Sequence, residues 1–144
     1  MMSIEKMSGL EIMQAMIAGK IPPASIAHII PMKGITAEHG KVVFEAMADE
    51  RHLNPLGGVH GGFTATVMDS VTGCAILTVL EPGVGFGTVD LNVNMLKAVP
   101  QNTSLIAEGN VIHVSKSLAV SEGTLKDTEG TIYAHATATC IIIR

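Results

Sequence analysis

Apolar and polar residues recur along the chain with two different periods, which together predict two helices and six strands. Residues 9–19 place apolar side chains three or four positions apart and follow Ser8, which predicts a short capped helix. Residues 61–80 are almost continuously apolar or small, which predicts a longer helix that is buried on all sides. Strand-forming runs, several with strict alternation, predict strands at 29–36, 41–48, 86–96, 105–114, 118–125 and 131–143.

The turns between the predicted strands are short, which indicates antiparallel neighbours. The order along the chain is one helix, two strands, the long helix and four further strands. One antiparallel sheet then has to cover a helix that is apolar all round, so the pattern predicts an α+β fold in which the sheet wraps around residues 61–80. Thr88 and Asp90 are two residues apart and are therefore expected on the same face of their strand.

The composition favours self-association. Charged residues make up 15% of the chain, against roughly 25% in an average soluble domain. A surface with so little charge is expected to be covered in part by copies of the same chain. The formal net charge of −4 argues against nucleic acid as a partner. Residues 61–80 are long enough to cross a membrane, but Asp69 at their centre disfavours insertion.

The cysteines and the first 20 residues predict a cytoplasmic protein. Cys74 and Cys140 are too few for a disulfide framework and lie in apolar stretches, so both are expected to be buried, inert thiols. The N-terminal stretch has no basic leader and carries Glu5 and Glu11 ahead of its apolar part, which is not typical of a signal peptide.

The long helix begins with Gly61 and Gly62, directly after His60. The first N–H groups of a helix lack an intrahelical acceptor and carry partial positive charge, so they can bind a carbonyl oxygen and stabilise it as it becomes an oxyanion. Asn54 and His60 are placed to add a donor or to orient a substrate. Taken alone, the two glycines are better explained by close packing, with His60 as a helix cap.

Asp69 is the one carboxylate in this helix, and it strengthens the functional interpretation. It has no Lys or Arg three or four residues away, so a carboxylate buried among Val67, Met68 and Val71 would be costly without a partner. Hydrogen bonds from Ser or Thr of a neighbouring element are one explanation. The other is that Asp69 is a general base or a nucleophile.

His60 and Asp69 are nine residues apart, which is roughly 13–14 Å along a helix. The two therefore cannot act on the same atom within one chain. Two such helices that lie antiparallel across a twofold axis would bring Asp69 of one protomer beside the partner's Gly61. The low surface charge predicts an oligomer independently, so the two observations together predict a site that is shared between subunits.

The spacing Asn54-x5-His60-Gly61-Gly62-x6-Asp69, within HLNPLGGVHGGFTATVMD, resembles the signature of hotdog-fold acyl-CoA thioesterases of the phenylacetate-degradation (PaaI-like) branch. The stretch GFGTVDLNVNML resembles the strand that follows this motif in the family. The resemblance covers residues 40–144. It implies a hotdog domain at 26–144, preceded by a helical extension at 1–25.

The resemblance implies hydrolysis of acyl-CoA thioesters to a free acid and CoA, in a homodimer or a dimer of dimers. Gly61 would donate its N–H to the thioester carbonyl, in a pocket shaped by Asn54 and His60. Asp69 of the other subunit would activate water or form an anhydride, and Thr88 would help to hold the water. The alternatives are a hotdog hydratase or dehydratase, and a non-catalytic acyl-CoA-binding module.

No metal and no cofactor are implied beyond the CoA of the substrate. Gly62 and Lys116 are assigned to CoA binding, since Lys116 matches a turn that in relatives often carries basic residues near the nucleotide. A solvated turn lysine explains Lys116 equally well, and Arg51 and Lys97 are weaker candidates. The candidate residues of the acyl pocket are Phe63, Met68, Phe86 and Met95.

Overall fold

The computed structural model describes residues 3–144, which form one six-stranded antiparallel sheet packed on a central helix. The helices are α1 (Gly9–Ile17) and the central α2 (Gly61–Leu77). The strands are β1 (Met32–Glu38), β2 (Lys41–Ala46), β3 (Gly85–Met95), β4 (Leu105–Val114), β5 (Leu118–Asp127) and β6 (Ile132–Ile143). This arrangement confirms the predicted α+β hotdog architecture, with a short helix ahead of the sheet.

The strands lie in the order β1-β2-β4-β5-β6-β3, and each neighbouring pair is antiparallel. The first strand begins at Met32 instead of residue 29, because Ser25–His28 forms a 3-10 helix ahead of it. The central helix ends at Leu77, three residues earlier than predicted. Within residues 3–144, no helix has the length and apolar character needed to cross a membrane.

The central helix lies very close to the middle of the sheet. Gly109 and Gly123 are paired across β4 and β5, and a Cβ atom at Gly109 would lie 2.2 Å from the backbone oxygen of Val71. The Ser121 hydroxyl donates a hydrogen bond of 3.0 Å to the Thr72 carbonyl. Glycine at this crossing therefore allows strand and helix backbones to approach each other, and the contact fixes which side of α2 faces the sheet.

The sheet leaves the opposite side of α2 open. Gly61, Ala65 and Asp69 form a row at four-residue spacing, in which the first two are half-buried and Asp69 is exposed. The expectation of a helix buried on all sides is therefore wrong for a single protomer. The reason is geometric, since one sheet can contact only one side of a helix and no other element of residues 3–144 covers this row completely.

Helix α1 is joined to the main core. Ser8 and Glu11 form a reciprocal capping box at its start, and Met13 is 1% exposed within the main hydrophobic cluster. The Gly9 N–H donates a hydrogen bond of 3.0 Å to the Leu80 carbonyl, just beyond the end of α2. These contacts place α1 against the C-terminal end of the central helix. A domain boundary at residue 25 stays a prediction.

We expect Gly9→Ala to destabilise the protein, because a Cβ atom there would lie 1.7 Å from the Leu77 carbonyl oxygen. Overpacking of this kind should lower the free energy of unfolding by roughly 1–3 kcal/mol, measured by urea unfolding followed by circular dichroism. Gly85→Ala is the matched control, since its Cβ atom would lie 3.9 Å from the Ile143 carbonyl oxygen. Equal stabilities of the two variants would contradict the close contact between α1 and α2.

Candidate active site

Asp69 lies near the middle of α2 and points away from the sheet. Its side chain is exposed, whereas Val67, Met68 and Val71 are fully buried. Each residue turns the helix by about 100°, so the neighbours of Asp69 face the sheet while Asp69 does not. The expectation of a buried acid is therefore wrong for the single protomer. Two ion pairs, Arg51–Asp49 and Lys126–Glu108, and two histidine–carboxylate contacts join residues of the described part of the chain, and none of them includes Asp69.

Asp69 lines a cavity of about 380 Å³ that opens to solvent. Its walls come from α1, residues 23–27, β1, β2, α2 and β3, and most of the lining side chains are apolar. The polar side chains are few, namely Lys33, Asp69, Ser70 and Thr88, with the thiol of Cys74 beside them. An apolar cleft with a few converging polar groups is the usual form of a small-molecule site.

Thr88 reaches this cavity because β3 contains a β-bulge. Thr88 pairs with Cys140 and Asp90 pairs with Thr139, so Val89 is an extra residue between them. The bulge puts Thr88 on the helix side of the sheet, where its hydroxyl oxygen lies 3.6 Å from the Cys140 Sγ. Asp90 is on the outer side. The prediction that Thr88 and Asp90 share a face is therefore wrong, because strict alternation does not allow for the extra residue.

His60 caps the N-terminus of α2. Its Nδ1 accepts a hydrogen bond of 2.7 Å from the Gly62 N–H, so this amide is already engaged. No group of residues 3–144 accepts a hydrogen bond from the Gly61 N–H. A Cβ atom at Gly61 would lie 2.8 Å from the Met95 sulfur. Gly61 thus offers a donor and also packs closely, while the assignment of Gly62 to CoA binding stays a prediction.

Asn54 closes the loop that precedes α2. Its Oδ1 accepts hydrogen bonds from the N–H groups of Leu56 at 3.0 Å and Gly58 at 3.2 Å. The Asn54 backbone N–H donates to the Gly58 carbonyl at 2.7 Å. The side-chain NH2 is the group of Asn54 that remains to donate to a ligand. Leu56, at the tip of this loop, is 97% exposed.

The helix mouth and the acid are separate within one protomer. Gly61 and Asp69 are two helical turns apart, about 12 Å at 1.5 Å per residue. Gly61 lines a second cavity of about 260 Å³, together with Met95, Lys97 and Tyr133. As predicted from the spacing, the two groups cannot act on a single atom of a ligand bound to one chain.

Two of the four candidate residues of the acyl pocket line neither cavity. Phe63 and Met68 are 2% and 0% exposed in the hydrophobic core. Phe86 does line the larger cavity, and its ring packs on Gly73 so closely that a Cβ atom there would lie 3.1 Å from it. Met95 lines the second cavity, beside the helix mouth.

The candidate cations are in three different places. Lys116 is exposed in the turn between β4 and β5, and Lys97 lines the second cavity. Arg51 forms an ion pair of 2.8 Å with Asp49, which lowers the pKa of the Asp49 carboxyl well below its usual range and raises that of Arg51. In the described part of the chain, no three His, Cys, Asp or Glu side chains are placed to share a metal ion.

His52 has no role predicted from the sequence, and the structure shows that it joins two segments. The ring is buried, and its Nδ1 accepts a hydrogen bond of 2.9 Å from the Asp49 N–H. Its Nε2 therefore carries the proton and donates to the Ile29 carbonyl. The ring also packs on Phe63, with 5.4 Å between centroids. His52 thus ties the segment before β1 to the start of α2.

The two thiols near Asp69 are poor nucleophiles. Burial, and secondarily the negative charge of Asp69, raises the pKa of Cys74 to about 12. Burial also raises the pKa of Cys140, against a lowering by the hydrogen bond with Thr88. Because the thiolate is the reactive form, both thiols are unreactive near neutral pH. Asp69 is then the better candidate for a base or nucleophile in this cavity.

Comparison with known proteins gives one family. The Thioesterase superfamily matches residues 56–134, which is 79 of the 144 residues. Acyl-coenzyme A thioesterase 13 of Homo sapiens is 32% identical over 85 residues, which cover 59% of this chain and 60% of that protein. The chain therefore spans less than two thirds of the length of this relative.

Solved structures agree with the fold. A phenylacetic acid degradation-related protein from Ralstonia eutropha JMP134 superposes with a TM-score of 0.81 and 26% identity, covering 90% of this chain and 98% of that one. A hypothetical thioesterase protein with coenzyme A from Streptococcus pneumoniae TIGR4 gives a TM-score of 0.71 at 24% identity, covering 77% and 87%. At that identity the second similarity shows the fold alone.

We expect Cys74 to react slowly with iodoacetamide at pH 8, because a pKa of about 12 leaves very little thiolate. Asp69→Asn removes the smaller of the two causes of this shift, so labelling should become faster, but by less than about tenfold. Asp90→Asn, on the outer side of the bulge, is the control and should leave the labelling rate of Cys74 unchanged. Mass spectrometry of the labelled peptides over time measures the rates, and equal rates in both variants would contradict the proximity of Asp69 and Cys74.

Proposed function

Because this chain belongs to the thioesterase superfamily, we propose that it hydrolyses acyl-CoA thioesters to a free acid and CoA. The observation that carries the proposal is the placement of Asp69 and Thr88 in one apolar cavity, on the open side of the helix that begins at Gly61. Thioester hydrolysis needs a base or nucleophile, a group that holds water and a donor to the carbonyl oxygen. A carboxylate, a hydroxyl and a free backbone N–H match these needs.

Two chemical routes are compatible with this geometry. In the first, Asp69 takes a proton from water while the water oxygen forms a bond to the thioester carbon; the C–S bond then breaks and the CoA thiolate leaves and takes up a proton. In the second, an Asp69 oxygen attacks the thioester carbon and the C–S bond breaks, which gives an anhydride and the CoA thiolate. Water then hydrolyses the anhydride to the free acid and the Asp69 carboxylate, and the thiolate takes up the proton that this step releases. In both routes Thr88 holds the water, and the Gly61 N–H stabilises the growing negative charge on the carbonyl oxygen.

We further propose that each site is shared between two protomers. Ala65 lies midway between Gly61 and Asp69 on one row of α2, so a twofold axis beside Ala65 would bring each Asp69 next to the partner's Gly61. The small residues Gly61 and Ala65 on this row, with Gly62 beside it, would let two helices approach closely. The same contact would cover the side of α2 that the sheet leaves open.

Strand β3 supports the same assembly. It is an 11-residue strand at one edge of the sheet, and its outward residues at the bulge include Val89, which is 58% exposed. A long edge strand without lysines presents unpaired backbone groups to another chain. Two copies of β3 that pair with each other around the twofold axis would cover the β3 edge of both protomers. The assembly is then a dimer, or a dimer of such dimers.

The CoA part of the substrate is assigned to groups of both protomers. Lys116 lies at the end of the sheet beside the C-terminal end of α2, about two helical turns beyond Asp69, which the antiparallel partner would bring next to its own Gly61. The coenzyme A in a structure of the same fold supports a CoA site on this architecture. We propose the cytoplasm as the location, where Cys74 and Cys140 would stay reduced.

The cavity favours hydrolysis over hydration of a double bond. A hydratase or dehydratase needs an acid and a base that flank two neighbouring carbons, commonly a carboxylate with a histidine. In the proposed shared site the histidine is His60, whose Nδ1 accepts the Gly62 N–H at the helix mouth, beside the Gly61 amide that would face the carbonyl oxygen. A non-catalytic acyl-CoA-binding module would show saturable binding of acyl-CoA without release of free CoA.

We expect Asp69→Asn to lower the release of CoA from acyl-CoA by about 10²–10⁴-fold, because the base or nucleophile is lost. A thiol-release assay over a panel of acyl-CoA esters measures the rate, with circular dichroism to show that the fold is intact. Asp90→Asn removes a charge on the outer face of β3 and should keep the parent rate. Hydrolysis by the Asp69→Asn protein at the parent rate would overturn the assignment.

Mixing two inactive variants tests the shared site. Asp69→Asn and Asn54→Ala homodimers should both be nearly inactive, and random exchange should restore about a quarter of the parent activity, since half of the dimers are mixed and each has one intact site. Subunit exchange is checked by mass spectrometry of differently tagged protomers. Proven exchange without any recovery of activity would show that each site lies within one chain.

A further inference from the structure

The N-terminal segment forms a large part of the wall around the cavity that Asp69 lines. Seven of the seventeen lining residues lie between positions 13 and 27. Three of them, Met13, Met16 and Ile17, come from α1, and the other four come from residues 23–27, which run into the 3-10 helix Ser25–His28. Neither the thioesterase motif nor the matched residues 56–134 include this part of the chain.

The cavity has a polar wall and an apolar wall. Asp69, Ser70 and Thr88 are on α2 and β3, whereas α1 and the segment after it contribute only apolar side chains to the lining. Lys33 is the other charged lining residue, and it is exposed on β1. A molecule with its reacting carbon at Asp69 would therefore place any attached apolar tail against the N-terminal segment.

The volume limits the size of such a tail. A cavity of about 380 Å³ has room for about a dozen small groups, taking ~30 Å³ for each as for a water molecule in the liquid. Methionine side chains on one wall, Met13 and Met16, adapt to the shape of a flexible apolar ligand. These properties fit an uncharged acyl group of medium length better than a short or a charged one.

We propose that this cavity binds the acyl group of the substrate, and that α1 and the segment at 23–27 set the acyl length that is accepted. This proposal rests on the proposed thioester hydrolysis. The preferred substrates are thioesters of uncharged, medium-length acyl groups. Each methylene buried in the cavity raises kcat/KM about fourfold, until the chain reaches the wall formed by α1.

The wall formed by α1 is held in place at both ends, so it can discriminate between acyl groups of different length. A Cβ atom at Gly34 would lie 2.8 Å from the Ile17 Cγ1, so α1 packs directly on β1 at the end of the helix. At its other end, α1 is held against α2 by the contact of Gly9 with Leu77 and Leu80. Met16 lies between these two anchors and is half-buried, so its side chain can be replaced without removing either anchor.

The test is an acyl-length profile of kcat/KM from acetyl-CoA to palmitoyl-CoA for the parent and two variants. Met16→Trp fills the cavity and should lower kcat/KM by about tenfold or more for the longer acyl groups, with acetyl-CoA nearly unchanged. Met16→Ala enlarges the cavity and should move the preferred length upward. Ile12→Ala is the control, since Ile12 is on the same helix and does not line the cavity. The Ile12→Ala variant should change kcat/KM by the same factor for every acyl length.

A second variant, Ile26→Trp, fills the cavity from the other segment and leaves α1 intact. If the Met16→Trp protein does not unfold cooperatively, the Ile26→Trp protein takes its place in the test. The same change in the acyl-length profile of kcat/KM is expected. Profiles of folded variants that match the parent would overturn the proposal and leave the hydrolysis in place. If the parent releases no CoA from any ester, the proposed hydrolysis fails, and the acyl site is tested separately by titration with decanoate. Binding of decanoate that Ile26→Trp abolishes supports an acyl site in this cavity. Any other result overturns the acyl site.

Discussion

The contact between the backbone of α2 and the paired glycines of β4 and β5 determines much of the remaining structure. There is no room for a side chain at Gly109, because the Val71 carbonyl occupies that position. The contact fixes the rotation of the helix about its axis, so Val67 and Val71 face the sheet and Asp69 faces away. Burial on one side thus creates both the row that carries the acid and an open surface that another chain can cover.

The cavity beside Asp69 depends on segments that are far apart in the sequence. Helix α1 is anchored near the end of α2, and His52 holds the chain at Ile29 before β1 begins. The acid and Thr88 come from two further elements. A contact that shifts the N-terminal segment therefore changes the shape of the cavity without touching Asp69 or Thr88.

Much of the architecture can be predicted because period and turn length are local properties of the sequence. The pattern predicts both helices and all six strands, and errors at their ends arise where a 3-10 helix takes the place of extended chain, as before Met32. The N-cap role of Ser8 follows from its position alone. The distance between Gly61 and Asp69 also follows from helix geometry, and together with the low surface charge it predicts a shared site, which stays a prediction.

The features that cannot be predicted depend on tertiary contacts. Hydrophobicity alone does not show that the sheet covers only one side of α2, so it predicts a buried Asp69. The start of α2 predicts either open amides at both Gly61 and Gly62 or a cap by His60, and only the structure shows that the His60 ring engages the Gly62 amide and leaves that of Gly61 open. The apolar stripe of α1 indicates a packed helix, and nothing in its spacing shows that Met16 lines a cavity.

The extra residue in β3 lets Thr88 face the cavity while Leu91 and Val93 pack on the core, which a regular strand would not allow. Before Val89 the even-numbered positions face the helix, and after it the odd-numbered positions do, so Leu91 and Val93 still pack on the core while Thr88 reaches the cavity. A substitution at position 88 would therefore change the lining of the cavity, while Leu91 and Val93 in the downstream half of the strand would keep their packing on the core.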